Sequence, residues 1–171
     1  YLRSLDPVRA EHPQPVVGFP MSWFQRLFPE PVTEPVPLPD PADRLATGRY
    51  LATIARCEFC HTPRNEQTRQ SVAGQEFAGG VPFHLHGGST LYSTNLTPHP
   101  DGLGSWTREQ FIARFKRDAE PRPVDPRDNT ITSWHAYSGI TEADLNALWD
   151  YFQTVPPKPA PADRRTSTAQ R

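Results

Sequence analysis

Between residues 62 and 105 the chain runs through Gly, Pro, Ser and Thr with no helical or strand-like period. So long a stretch without regular structure is uncommon in a compact domain unless it wraps something. The segments around it are helical. One begins near Pro41, with Asp40 or Asp43 as its cap and proline tolerated in the first turn, and runs to about Arg56. It carries Leu45, Gly48, Leu51, Ala52 and Ala55 at three- and four-residue steps. A second helix covers about residues 107–118, with Phe111, Ile112 and Phe115 on one face and Ser105, Thr107 and Gln110 disposed around a capping box. The third opens at a Thr141 cap, bears Leu145, Leu148, Trp149 and Phe152 as an apolar stripe, and stops at Pro156-Pro157. Residues 119–133 read as loop again, and no strand is convincing. The fold class expected is all-α: three main helices and two long loops. Helices so few make a small core for the loops they must order, so a bulky prosthetic group is expected to complete it.

Composition places that core in the middle of the chain. Only 36% of residues are apolar, and of 21 prolines ten lie in residues 1–41 and four in 156–161. Residues 9–41 read as a proline-punctuated linker, interrupted by a short piece in which Trp23, Phe24, Leu27 and Phe28 share one helical face. Tyr1–Pro7 repeats the pattern of Tyr151–Pro157, aromatic, apolar, polar, hydroxyl, apolar and proline, as if it were the last turn of a similar helix. The domains expected are therefore 1–41, a tail and docking arm; 42–157, the folded domain; and 158–171, a flexible tail. Eighteen basic and 19 acidic side chains leave a formal charge of −1, which excludes a basic field for nucleic acid. No run approaches the apolar length of a membrane-spanning helix, no signal peptide is visible, and a start at Tyr1 suggests a processed product.

The chemistry concentrates in Cys57-Glu58-Phe59-Cys60-His61, which holds both cysteines of the chain. Cys-x-x-Cys-His is the signal for covalent attachment of a c-type haem. Two thiols add to the two vinyl groups on one porphyrin edge, and the imidazole behind them reaches the iron from the same face. A dithiol redox motif would need a preceding strand and alternating strands and helices, which the chain lacks. A zinc site could recruit His84 and His86, but the two cysteines supply half a ligand set and His-x-His lacks the usual separation. A disulfide across two intervening residues would be strained.

The segment TGRYLATIARCEFCHTPRN resembles the haem-attachment region of class I cytochromes c, closest to bacterial multi-haem cytochrome subunits serving alcohol and sugar dehydrogenases. FAGG (77–80), STNLTPHPDGLGSWTREQF (93–111) and SWHAYSGITEADLNALWDYFQTVPP (133–157) resemble the later segments of those domains, so the likeness covers about residues 42–157. The resemblance implies a cytochrome c-like fold whose long loops wrap one covalent haem c. It implies thioether bonds at Cys57 and Cys60, His61 as proximal ligand, and the Pro63 carbonyl orienting that imidazole. Tyr92, Asn95, Trp106, Trp134 and Tyr137 match positions that line the pocket or contact the propionates. Gly48 and Tyr50 fall where the first helix of the family crosses the last, against Leu148, Trp149 or Tyr151, and a close crossing needs a small residue.

One departure bears on function. The family's distal methionine would fall at Thr132, and the only methionine, Met21, lies in the linker. His84, His86, His99 and His135 are the candidates within the domain, with His135 nearest the expected loop and His99 in a loop that faces the haem in the family; an empty sixth position is the remaining choice. The expected function is one-electron transfer rather than enzymatic turnover, in an exported, periplasmic protein. Its partners would be a dehydrogenase, another cytochrome or an oxidase complex, with residues 1–41 aiding assembly. An open iron with ligand-binding or peroxidase-like activity, or a structural subunit pinned by its arm, are the other classes.

Overall fold

The structure, a computed structural model, describes residues 4–6, 16–24, 33–35, 37–84, 90–120 and 134–161. The chain divides into two units, Tyr1–Pro37 and Leu38–Arg171. In the first, helix α1 (Met21–Phe24) sets the rings of Trp23 and Phe24 edge to face at 5.3 Å, both substantially exposed. Leu27 and Phe28 lie outside the described residues.

The second unit is built on two helices, α2 (Arg44–Ile54) and α6 (Glu142–Thr154). Asp43 caps α2 by accepting from the Ala46 N–H, and Thr141 caps α6 by accepting from the Asp144 N–H. A Cβ added at Gly48 would lie 2.0 Å from the Ala147 carbonyl oxygen and 2.8 Å from the Tyr151 Cβ, so α2 crosses α6 backbone against backbone. The α6 stripe then buries Leu145, Leu148, Trp149 and Phe152 against Ala52, Phe77, Leu103 and Phe111. Leu45, expected in the buried stripe of α2, is instead 48% exposed, because the helix turns its smallest residues, Gly48 and Ala52, to α6.

Helix α4 (Arg108–Lys116) starts at a complete capping box, in which Thr107 Oγ1 accepts from the Gln110 N–H and Gln110 Oε1 accepts from the Thr107 N–H. Ser105 belongs to the preceding 3₁₀ turn, Leu103–Ser105. Phe111 fixes α4 in the core, tilted against Phe115 at 5.0 Å and Trp149 at 5.5 Å. Asp150 ties three helices together, accepting from Arg108 of α4 and pairing with Arg44 of α2, each at 2.6 Å.

Regular structure extends beyond the three expected helices. The cysteine segment is itself a short helix, α3 (Cys57–His61), and α5 (Trp134–Tyr137) precedes α6. The expectation of no strand is corrected by a small antiparallel hairpin inside the long loop, where β1 (Pro82–His84) pairs with β2 (Thr90–Tyr92) in the register Phe83 to Leu91. Alternation is too short there to stand out. The tail expected from residue 158 is also corrected through residue 161. Lys158 is tied by backbone and side chain to the body, and Ala160 is 9% exposed.

The crossing predicts that Gly48→Ala costs about 3 kcal/mol of folding stability, since the neighbours are helix backbone and cannot yield. Chemical denaturation of the two proteins measures the difference.

Candidate functional site

Helix α2 ends at Ala55, and Arg56 takes a left-handed conformation (φ 54°) that turns the chain into α3. Cys57 and Cys60, three residues apart on that helix, share one side of it. Both are free, half-buried thiols. Burial pushes the Cys57 thiol up to about 11, with its own backbone N–H opposing and neighbouring Cys60 adding to the rise. Among the described residues no group of three or more His, Cys, Asp and Glu could hold a metal ion. His84 is exposed with its ring beside Thr90 Oγ1 at 3.0 Å, and His86 lies outside the described residues.

His61 closes α3. Its Nδ1 lies 2.7 Å from the Thr94 carbonyl oxygen. A carbonyl only accepts, so Nδ1 carries the proton and the Nε2 lone pair is left free, the tautomer a metal-binding imidazole requires. Burial holds the ring below the ordinary histidine range, with the Thr94 contact pulling the other way. The orienting carbonyl expected at Pro63 is thereby corrected to Thr94. The Pro63 carbonyl accepts instead from the Val72 N–H at 2.9 Å, because the chain folds back on itself after the helix.

Several contacts fix the Thr94 carbonyl. Gly79 (φ 77°) donates to the His61 carbonyl at 2.7 Å and packs on residues 93–95, where any Cβ would fall 2.7 Å from the Asn95 nitrogen. Gly80 donates to Ser93, Leu96 to the Phe77 carbonyl, and the fully buried Thr62 hydroxyl accepts from the Phe77 N–H. Asn95 is buried, but its side chain is spent on the protein: Oδ1 accepts from the Thr97 N–H and Nδ2 donates to the Lys158 carbonyl at 2.7 Å. These bonds tie the loop at Asn95 to the segment after α6. Lys158 itself pairs with Glu76, whose carboxyl is drawn down to about 2, first by the Lys158 hydrogen bond and then by backbone N–H groups of Glu76 and Gly74.

The aromatic positions fall in two places. Trp134 and Tyr137 share the face of α5 turned to Phe115, at 5.3 and 6.4 Å, and Arg114 stacks over Trp134 at 3.6 Å. Burial, and then the Cys57 and Cys60 thiols, push the Tyr137 hydroxyl above its ordinary range. Trp106, Leu96, Ile112, Phe115 and Cys57 all pack on the core yet stay partly exposed, an apolar margin that a planar group would cover. Tyr92 ends β2, half-buried.

The two candidate histidines each have a backbone partner. His135 stands about 100° round α5 from Trp134; it is exposed, with Nδ1 3.3 Å from the Asp118 carbonyl. His99 Nδ1 accepts from the Asp101 N–H at 3.1 Å, which in the neutral ring puts the proton on Nε2, where a ligand needs its lone pair. Thr132 lies outside the described residues. Thr94 and Lys158 are the residues that sequence reasoning missed. Thr94 acts through its backbone and leaves no side-chain signature, whereas the proline-flanked PPKPAP is the kind of extended strap that could have pointed to Lys158.

Two predictions follow the strap. Asn95→Ala removes one of the two donors to the Lys158 carbonyl, the Thr97 hydroxyl remaining, and takes the Oδ1 acceptor from the Thr97 N–H; it lowers stability by about 1–3 kcal/mol in chemical denaturation. Glu76 is depressed below its unfolded value of 4.5, so its stabilising contribution is present above that pH and lost as pH falls toward about 2. Glu76→Gln is therefore less stable than the parent at neutral pH, and in thermal melts the gap closes between those two values.

No protein-family model matches the chain. Among curated proteins it is 33% identical over 139 residues to the fructose dehydrogenase cytochrome subunit of Gluconobacter japonicus, covering 77% of this chain and 26% of that one. It is 26% identical to the cytochrome c subunit of the quinone alcohol dehydrogenase of Gluconacetobacter polyoxogenes, over 93% of this chain and 36% of the other. It is 31% identical to the gluconate 2-dehydrogenase cytochrome c subunit of Pantoea cypripedii, over 61% and 22%. The chain thus spans between about a fifth and a third of the length of these relatives.

Proposed function

The chain carries a cytochrome c domain resembling the cytochrome subunits of these dehydrogenases, and from that premise we propose that it passes single electrons between a dehydrogenase and an acceptor through one covalent haem c. The observation that carries this reading is the arrangement on α3: two free thiols on one side and an imidazole whose Nδ1–H is fixed on Thr94. The residues fit the group. Cys57 and Cys60 would hold it through thioether bonds, and His61 would offer Nε2 to the iron. The haem, when bound, supplies the one-electron chemistry of its iron. Around it the chain's own part is to exclude water and hold the ligand still. Trp106 and Phe115, with Trp134 and Tyr137 packed on Phe115, would shield it; burial keeps the His61 imidazole neutral, and the carbonyl of Thr94, held by Gly79, Asn95 and the Lys158 strap, keeps it in one tautomer and one orientation.

The domain would serve as an electron-carrying subunit rather than a catalyst. The match to the alcohol dehydrogenase subunit covers enough of the chain to reach into its first 41 residues, which supports reading them as the tail of a preceding domain and a linker or docking arm. The periplasm, where c-type haem is attached, is its expected location, and no helix among the described residues is long and apolar enough to cross a membrane.

A second reading, an iron with an open sixth position or His–His ligation and ligand-binding or peroxidase-like chemistry, draws support from the lack of any methionine in residues 42–157. Ferric electron paramagnetic resonance separates the two. The electron-transfer reading expects a low-spin ferric signal that cyanide leaves unchanged and a ferrous absorption spectrum that carbon monoxide leaves unchanged; a change with either supports the open iron. Cys57→Ser with Cys60→Ser abolishes covalent haem, seen as loss of the haem-sized mass increment, and retention of that increment would overturn the attachment site.

A further inference from the structure

A cavity of about 380 Å³ opens beside the two residues that separate the cysteines. Glu58 and Phe59 line it from α3, Arg49 from α2, Arg56 from the turn between them, Arg64 from the segment after His61, and Tyr151 from α6. Phe59 is 48% exposed, yet the guanidinium carbons of Arg64 and Arg56 stand only 4.2 and 4.6 Å from its ring centroid. A guanidinium stacked in this way spends its flat face on the ring and keeps the N–H donors at its edge. Among the described residues no hydrogen bond or ion pair takes the side-chain donors of Arg49, Arg56 or Arg64. Arg44, Arg108, Arg114 and Arg117, by contrast, each lie within ion-pair distance of Asp150 or Asp118. Three unspent guanidiniums therefore converge on one opening whose only lining acid is Glu58.

We propose that this cavity docks a carboxylate-bearing segment of a partner protein. Guanidinium edges match carboxylates bidentately, and an exposed aromatic ring flanked by arginines has the composition of a protein-interface centre, whereas a small free acid would have no use for the ring. The proposal rests on the reading that haem is held at Cys57 and Cys60. Glu58 and Phe59 are the peptide joining those residues, so a partner docked there stands one residue from each covalent anchor of the haem. An otherwise near-neutral chain would thereby orient a redox partner with a local charge patch rather than with its net field.

The test uses the full haem-loaded chain and a fluorescent oligoglutamate peptide, followed by anisotropy at low and at physiological salt, with an oligolysine peptide as control and citrate as competitor. Saturable binding of oligoglutamate is expected, weakened about tenfold by salt and about tenfold by Arg56→Gln combined with Arg64→Gln. Arg49→Glu, on an exposed helix position, is expected to weaken it in the same direction without the backbone risk of altering Arg56. Oligoglutamate binding no better than oligolysine, unchanged affinity in both variants, or citrate binding as tightly as the peptide would each overturn the proposal, the last by making a free acid the ligand. Haem absorbance of the same samples tests the underlying reading separately: a haem-free chain that still binds the peptide sinks electron transfer while leaving the docking site standing.

Discussion

With no side chain at Gly48, helix α2 lies directly on the backbone of α6 at Ala147, and the rest of the domain takes its position from that crossing. Close approach brings Ala52 into the core beside Leu148 and Phe152, while Arg44 reaches Asp150 from the start of the helix. It also fixes where α2 ends. From there the left-handed Arg56 turns the chain once, and α3 presents two thiols and an imidazole within five residues. A bulkier residue at position 48 would separate the two helices and displace the cysteine segment, although no residue of that segment had changed.

The second constraint is a chain of backbone contacts rather than side chains. The loop around Gly79 is pressed between the end of α3 and residues 93–96, and the Thr94 carbonyl it helps to hold decides which nitrogen of His61 bears the proton. Asn95 then transmits the hold of the strap after α6, with Lys158 and Glu76 closing the far end. Residues remote from α3 in the sequence thereby set the chemical state of its histidine. The fold places stability and the orientation of the His61 ring in the same contacts.

The same logic explains what was legible beforehand. Helix boundaries followed from local chemistry: Asp43, Thr107 and Thr141 cap by bonds to residues three positions on, which any reader of the sequence can pair. Cys57, Cys60 and His61 were legible for the same reason, being neighbours on one short segment. The role of Asn95 was not, because its partner, the Lys158 carbonyl, is 63 residues away and is backbone. The hairpin at Pro82–Tyr92 was hidden by strands of three residues, too short for alternation to register.

By itself the sequence determined that two thiols and an imidazole stand together within five residues, and it determined the helices, whose caps and stripes are local. Only the tertiary structure decided which carbonyl orients His61, that His135 lies beside the Asp118 carbonyl, and that three arginines from separate segments line one cavity with Phe59. Each depends on contacts between residues distant along the chain, and those distances are set by the α2–α6 crossing rather than by any local pattern.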